Sequence, residues 1–178
     1  RTPSGTITPA LVSDPEILVH ADPLAPVMPG NGATLAGKLS VRQPRAKIGA
    51  VLRSCEIRAL IELTKMQQAS LDDLILISID CAGTYNPPIF LKKEVNLKST
   101  SQALWEELYQ AVIENPDSEI VDLREACQIC EQPIYERANI TIKLFGSDYH
   151  QGLYLSISDE INAVLGLNEA PEQEKRGE

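Results

Sequence analysis

Two uninterrupted apolar runs lie on either side of a segment with helical periodicity. The runs cover residues 48–52 and 74–79, and such runs are typical of strands buried on both faces. Ser54 offers an N-cap hydroxyl to a helix that should extend to about residue 68. Four side chains of this helix repeat at helical spacing: Ile57, Leu60, Ile61 and Thr64. Strand, helix and strand form a βαβ unit at about residues 47–80, which predicts parallel strands and a right-handed crossover.

The second half of the chain predicts further helices and strands around this unit. Ser99 and Gln102 fit a capping box, ahead of a helix that should end before residue 115. Alternating side chains over residues 138–145 predict a half-buried strand, another strand is predicted at 153–157, and Ser158 should cap a short last helix. We therefore predict the α/β class, with a mixed, largely parallel sheet and flanking helices.

The N-terminal part of the chain differs in composition from the rest. Seven of the twelve prolines precede residue 46, and because proline lacks an N–H and fixes φ, we expect only short strands between turns there. Residues 16–19 are predicted as such a strand, and residues 25–36 as a loop that lies over a neighbour or a ligand. The chain is thus divided into three parts: a Pro/Gly-rich segment at 1–46 that packs on the core, an α/β domain at 47–167, and a charged tail or linker at 168–178.

The charge balance limits the partners of the chain. Its 178 residues include 16 Lys and Arg against 25 Asp and Glu, which gives a net charge of −9. Nucleic acids and anionic membrane surfaces are bound through cationic side chains, so this balance argues against both. No apolar run approaches the roughly 20 residues that span a bilayer, and no signal peptide precedes the first residue. We expect one soluble, cytoplasmic domain, present as a fragment of a longer chain.

The residues with the most specific chemistry are four cysteines: Cys55, Cys81, Cys127 and Cys130. Residues 80–88 are predicted as a loop leaving the second strand, so Cys81 follows the end of that strand as Cys55 follows the end of the first. Parallel neighbours bring these ends side by side, at the edge where open α/β sheets bind ligands. Cys127 and Cys130 form a C-x-x-C pair ahead of a third strand. The sequence therefore predicts that the two remote thiols converge, and a C-x-x-C in the loop before a third strand could complete a set of four.

Several chemistries remain open for this set of thiols. Four thiolates in a chain with two histidines favour either structural zinc or an iron–sulfur cluster. The cysteines are alternatively small buried hydrophobes, or form two disulfides in an oxidising compartment. A thioredoxin-type redox pair is the weakest interpretation of the C-x-x-C, because no strand precedes it and no obvious helix begins there.

Each cysteine also lies within a longer motif. The segments read Arg-Ser-Cys-Glu-Ile-Arg-Ala-Leu at 53–60, Ile-Ser-Ile-Asp-Cys-Ala-Gly-Thr-Tyr at 77–85, and Arg-Glu-Ala-Cys-Gln-Ile-Cys-Glu at 124–131, followed by Ala-Asn-Ile at 138–140. They resemble the P-C-E-x-R-A-like, I-G-I-D-C-x-G-T and R-x-x-C-x-x-C…A-D-I segments of the coenzyme F₄₂₀ hydrogenase/dehydrogenase beta-subunit family, which includes the formate dehydrogenase beta subunit. The resemblance runs in register over about residues 48–146, and the three segments together are fairly specific.

The resemblance implies a beta-type electron-transfer subunit of an oxidoreductase such as a formate dehydrogenase or hydrogenase, with a catalytic redox subunit as its partner. It implies a 4Fe-4S cluster held by the four cysteines, next to a flavin, usually FAD, that exchanges a hydride with coenzyme F₄₂₀ or another carrier. A flavin divides a two-electron hydride into single electrons that a cluster can accept.

Candidate contacts to such a cofactor are Arg53, Arg58 and Tyr85, which lie near Cys55 and Cys81 in the sequence. The alternative function is a structural zinc-binding interaction domain without turnover, which would use the same four thiolates.

Overall fold

The computed structural model describes residues 7–42, 46–96, 100–114, 122–147 and 151–166. Its elements, in chain order, are α1 (Pro15–Leu18), α2 (Gly32–Ser40), β1 (Ile48–Arg53), α3 (Ser54–Lys65), β2 (Leu74–Ile79), α4 (Pro87–Asn96), α5 (Ser101–Glu114), α6 (Glu125–Gln128), β3 (Ile140–Lys143), β4 (Tyr154–Ile157) and α7 (Asp159–Leu165). The four strands form one sheet in the order β1-β2-β3-β4, in which the first three strands are parallel and β4 is antiparallel. The predicted α/β class, with a mixed, largely parallel sheet and flanking helices, is confirmed.

The βαβ unit is formed by β1, α3 and β2. The register of the two strands pairs Ile48 with Leu74 and Arg53 with Ile79, so both strands end at the same level. Helix α3 begins at Ser54 and its N-cap is Arg53, so the prediction that Ser54 is the N-cap is wrong. The Ser54 hydroxyl instead donates to the carbonyl of Ile134 at 3.3 Å, because one residue into the helix it faces a segment that returns to the sheet.

The expectation that both apolar runs are buried on both faces is wrong for β1. That strand lies at the edge of the sheet, and its burial alternates, with 46% of Val51 exposed. Strand β2 lies between two neighbours and is more fully covered. A continuous apolar run therefore predicted a strand correctly, but its position in the sheet set how much of it is buried.

The N-terminal part contains helices where short strands and loop were predicted. Residues 15–18 form α1, because Asp14 accepts the N–H of Glu16 at 2.9 Å and Pro15 occupies the first turn, where its missing N–H is tolerated. The second half of the predicted loop forms α2, capped by Asn31, whose side chain accepts the N–H of Ala33 at 2.9 Å. Prolines thus precede helices here rather than excluding them.

Later elements mostly follow the sequence pattern. The predicted strands at 138–145 and 153–157 contain β3 and β4, and the last helix is α7. The predicted loop at 80–88 is shorter, because α4 begins at Pro87 with the Asn86 carbonyl accepting the N–H of Phe90 at 2.9 Å. Ser99 of the predicted capping box, the predicted helix end at residue 115 and the tail from residue 168 lie outside the described residues.

Two apolar clusters fix the sheet. One joins α2 and α3 to β1 and β2, and includes Leu52, Leu60 and Leu76. The other joins α4 and α5 to the carboxyl end of β2 and to the residue after β3, and includes Ile79, Leu108 and Leu144. Together they hold the carboxyl ends of β1 and β2 rigidly at one edge. Within the parts of the chain that the structure describes, no helix is long and apolar enough to cross a bilayer.

Candidate metal centre

Cys55 and Cys81 occupy equivalent positions at the carboxyl edge of the sheet. Arg53 and Ile79 are paired as the last residues of β1 and β2, and each cysteine follows two residues later. Cys55 is the second residue of α3, whereas Cys81 enters the loop that leaves β2. The two cysteines that are 26 positions apart in the sequence therefore leave neighbouring strand ends.

The C-x-x-C pair is brought to this loop by α6. The N–H of Arg124 donates to the carbonyl of Thr84 at 3.0 Å, and the Thr84 hydroxyl lies 3.3 Å from Sγ of Cys127. A Cβ atom added at Gly83 would lie 3.6 Å from Cβ of Cys127, so loop and helix are in close contact. Cys130 follows on the next turn, where its N–H donates to the Cys127 carbonyl at 3.3 Å.

After Cys130 the chain crosses the ends of both strands. The N–H of Cys81 donates to the carbonyl of Pro133 at 3.1 Å, and Ser54 binds the next carbonyl, that of Ile134. The segment that carries the C-x-x-C is thus attached to the sheet edge before and after the pair. This attachment brings all four thiols to one side of the molecule.

The surroundings of the thiols differ. Burial raises the pKa of Cys81 to about 11. The Arg53 cation and the hydrogen bond from the Gly83 N–H lower this pKa, and the charges of Cys55 and Cys127 raise it by smaller amounts. Partial burial also raises the pKa of Cys55, and the negative charge of Glu56 raises it further. The Arg53 cation lowers this pKa, and the charges of Cys127 and Cys130 raise it. All four cysteines are free, so the disulfide alternative is not supported.

The donor chemistry of the four thiols suits a metal, but their arrangement is not that of a finished site. Among the residues that the structure describes, no three His, Cys, Asp or Glu side chains are arranged to hold a metal ion. Metal binding is coupled to the folding of a site, because its cysteine ligands must lose their protons and be brought together. The four thiols therefore fit a soft metal by the type of donor atom that they supply.

The residues on both sides of Cys55 attach the N-terminal part of the chain to the βαβ unit. Arg53 donates from Nη2 to the Ala25 carbonyl at 2.7 Å, and Oε1 of the buried Glu56 accepts the N–H of Gly32 at 2.7 Å. The other oxygen of Glu56 accepts the N–H of Arg53 at 3.0 Å. A Cβ atom at Gly32 would lie 2.8 Å from Cδ2 of Leu52 and 3.0 Å from Oε1 of Glu56, so a larger residue there would force these side chains to shift.

Sequence reasoning did not identify the role of Glu56 in joining α2 to α3. An acidic residue at the third position of a helix is a common capping signal. Its partner, the N–H of Gly32, is 24 residues away, and no local pattern indicates that contact.

The three predicted cofactor contacts lie in different surroundings. Arg58 lines an open groove of about 860 Å³ next to Cys55, together with Tyr135 and Arg137. Arg53 is engaged with Ala25 and Glu56, as described above. Tyr85 is 2% exposed, and the ammonium of Lys93 lies 4.9 Å from its ring centroid. Of the three, Arg58 is the one that faces the groove.

Comparison with known proteins gives one short relationship. A stretch of 42 residues, 24% of this chain, is 40% identical to the F420-dependent formate dehydrogenase 1 subunit beta of Methanococcus maripaludis. That stretch spans 11% of the relative's own length. No protein-family model matches the chain. The match is therefore local.

Proposed function

We propose that this chain is part of a beta-type electron-transfer subunit of an oxidoreductase, in which Cys55, Cys81, Cys127 and Cys130 hold a 4Fe-4S cluster. The observation that supports the proposal is that Cys55 and Cys81 follow neighbouring ends of two parallel strands, while the segment that carries Cys127 is hydrogen-bonded to the loop after Cys81. Such a cluster accepts and releases single electrons. The local match to a formate dehydrogenase subunit supports the redox assignment.

The groove beside Cys55 is the proposed binding surface for FAD. Its volume of about 860 Å³ is that of a cofactor-sized site, which typically measures about 300–1,000 Å³. Arg58 and Arg137 supply cations for phosphate groups, and Tyr135 supplies an aromatic face. In this proposal coenzyme F₄₂₀ or another hydride carrier delivers electrons to the flavin, and a catalytic redox subunit of the same complex is the partner.

The second candidate is a structural zinc domain without turnover. The same donor set favours it, since four thiolates bind zinc as readily as they bind iron–sulfur clusters. Under this alternative the exposed Cys55 and Cys130 would be drawn into a closed tetrahedral site, and no electron would be transferred.

Anaerobic purification of the chain followed by iron, sulfide and zinc analysis distinguishes the two candidates. We expect about four iron and four sulfide per chain and a visible thiolate-to-iron absorption band. Serine at any of the four cysteine positions should lower the iron content. The matched control is Ile129→Ala, because Ile129 lies between the paired cysteines, is 81% exposed and has no donor atom. One zinc per chain without visible absorption would refute the electron-transfer proposal.

Flavin binding is tested separately in the same preparation. After release by denaturation, FAD fluorescence should be found at about one per chain, and Arg58→Ala should lower it while the iron content stays unchanged. Glu62→Ala, at the same groove, is the control that removes a charge of the opposite sign. Loss of iron and flavin together in Arg58→Ala would indicate a folding defect and count against a direct contact.

A further inference from the structure

The loop between β2 and α4, residues 80–86, carries Cys81 and is called the cysteine loop below. Within it, the side chain of Thr84 contacts the thiol of Cys127. It is 1% exposed, and its hydroxyl oxygen lies 3.3 Å from Sγ of Cys127. Among the described residues, no other side-chain hydroxyl is recorded at hydrogen-bonding distance from a cysteine sulfur. A buried hydroxyl beside a candidate ligand requires an explanation, because burial of a hydroxyl is costly unless it is hydrogen-bonded.

The backbone holds Thr84 in place from two sides. Its carbonyl accepts the N–H of Arg124 at 3.0 Å, which ties it to the helix that carries Cys127. The next residue, Tyr85, donates its N–H to the Pro26 carbonyl at 2.8 Å and forms bridges with Val27 and Leu123. The hydroxyl is therefore positioned by segments from three parts of the chain, and its place beside the sulfur does not depend on the flexibility of a loop.

The direction of this hydrogen bond depends on the state of the sulfur. Between a thiol and a hydroxyl, either atom is able to donate. A metal-bound cysteine is a thiolate, which has no proton, so the hydroxyl of Thr84 is then the donor. Hydrogen bonds to cluster sulfurs stabilise the more electron-rich reduced state and are one of the factors that set a cluster's reduction potential.

We propose that Thr84 is a positioning residue that donates a hydrogen bond to the metal-bound thiolate of Cys127 and raises the reduction potential of the centre. This inference rests on the proposed function, since it needs a ligated Cys127. It goes further by assigning control of the potential to one side chain. In this proposal the hydroxyl carries the electronic effect.

The test compares variants that keep or remove the hydroxyl. Thr84→Val keeps the branched shape without the hydroxyl, Thr84→Ser keeps the hydroxyl, and Thr84→Ala is a second variant without it should valine disturb folding. The matched control is Thr141→Val, because Thr141 is equally buried and its hydroxyl binds the carbonyl of Tyr135 at 3.4 Å. Iron and sulfide contents are measured first, and the potential of each loaded protein is then determined by anaerobic redox titration.

We expect wild type, Thr84→Ser and Thr141→Val to share one potential. Thr84→Val and Thr84→Ala should be more negative, with the reduced-to-oxidised ratio at a fixed applied potential lowered about threefold to tenfold; tenfold equals about 59 mV for one electron. Full cluster content with unchanged potentials in both variants overturns the inference and leaves the proposed function intact. A negative shift in Thr84→Ser equal to that in Thr84→Val would also overturn it, since the hydroxyl would then be irrelevant.

Failure of the proposed function gives a different result. If wild type contains no iron–sulfur cluster, the chain is loaded with Co²⁺, whose thiolate charge-transfer band reports on the ligating sulfurs. A band shift in Thr84→Val that Thr84→Ser restores supports the hydrogen bond without the redox role. An identical band in all variants, or no Co²⁺ binding, refutes the hydrogen bond to a ligated Cys127 as well.

Discussion

Replacing Glu56 by alanine should strongly destabilise the chain, because this carboxylate ties the N-terminal part to the residue before Cys55. Its two oxygens accept the N–H of Gly32 at 2.7 Å and the N–H of Arg53 at 3.0 Å, and Nη1 of Arg53 lies 3.8 Å away. The side chain is 6% exposed, so water cannot replace these partners. Alanine leaves the two N–H groups without their acceptor and removes the charge partner of the Arg53 guanidinium, which keeps its hydrogen bond to the Ala25 carbonyl.

The magnitude follows from the number and type of these contacts. A hydrogen bond to a charged group contributes about 1.5–3 kcal/mol, and removing one partner of a buried ionic contact costs about 3–5 kcal/mol. Two such hydrogen bonds place Glu56→Ala at about 3–5 kcal/mol. Glutamine retains one acceptor but turns an N–H₂ group toward the second donor, so Glu56→Gln should cost about 1.5–3 kcal/mol. Both values are large fractions of the roughly 5–15 kcal/mol that stabilises a domain.

Urea unfolding of the reduced, metal-free chain, followed by circular dichroism, measures these values. With a slope of about 2 kcal/mol per molar urea, Glu56→Ala should lower the midpoint by about 1.5–2.5 M. The matched control is Glu62→Ala on the same helix, whose carboxylate is 61% exposed and pairs with Lys65 at 2.7 Å. Exposed pairs of this kind contribute about 0.2–1 kcal/mol. A midpoint for Glu56→Ala no lower than that of Glu62→Ala would refute the reasoning, since the tie would then not depend on the carboxylate.

Two glycine substitutions, each with a second glycine as its control, test the first turn of α2 and the loop that follows β2. Gly32→Ala should cost about 1–3 kcal/mol in the same unfolding assay, because the new Cβ would meet atoms at 2.8 and 3.0 Å. The control Gly30→Ala has nothing within 4 Å of its Cβ and should stay near wild type. Equal urea midpoints for the two variants would contradict the steric argument. Gly83→Ala should lower both stability and metal content, because φ is +108° and Cδ1 of Leu123 would lie 3.3 Å from the new Cβ. Gly146→Ala shares the positive φ in open space, so it should lower stability alone, and an equal loss of metal there would refute a role specific to the cysteine loop.

The sheet was predictable from the sequence because its signals are local. The apolar runs at 48–52 and 74–79 predict strands from neighbouring residues alone, and the length between them requires the parallel crossover. From that unit it followed that Cys55 and Cys81 leave neighbouring strand ends. Their shared edge is a property of βαβ geometry, and no further information was needed to place them.

The N-terminal helices were missed because single proline positions were read as helix breakers. Pro15 lies in the first turn of α1 behind the cap formed by Asp14, a position where proline is favoured. Asn31 caps α2 in the same manner after the Pro-Gly turn. The cap residues Asp14 and Asn31 indicate two helices, whereas the number of prolines argues against helices in this part of the chain.

The placement of the C-x-x-C pair could not be derived from local patterns. It depends on hydrogen bonds between residues far apart in the chain, from Arg124 to Thr84 and from Cys81 to Pro133. The contribution of Thr84 was likewise invisible, since a threonine 43 positions from Cys127 has no spacing rule that links the two. Such contacts become apparent only when the fold brings the segments together.

The two parts of the candidate site are held with different strengths. The carboxyl edge that carries Cys55 and Cys81 is fixed by six paired positions between β1 and β2 and by the buried contacts of α3. The segment with Cys127 and Cys130 is held by a few hydrogen bonds of about 0.5–1.5 kcal/mol each. Its local opening therefore costs far less than unfolding the sheet. A bound metal would stabilise the position of this segment at the sheet edge without rebuilding the sheet, and the Thr84 hydroxyl already lies 3.3 Å from Sγ of Cys127.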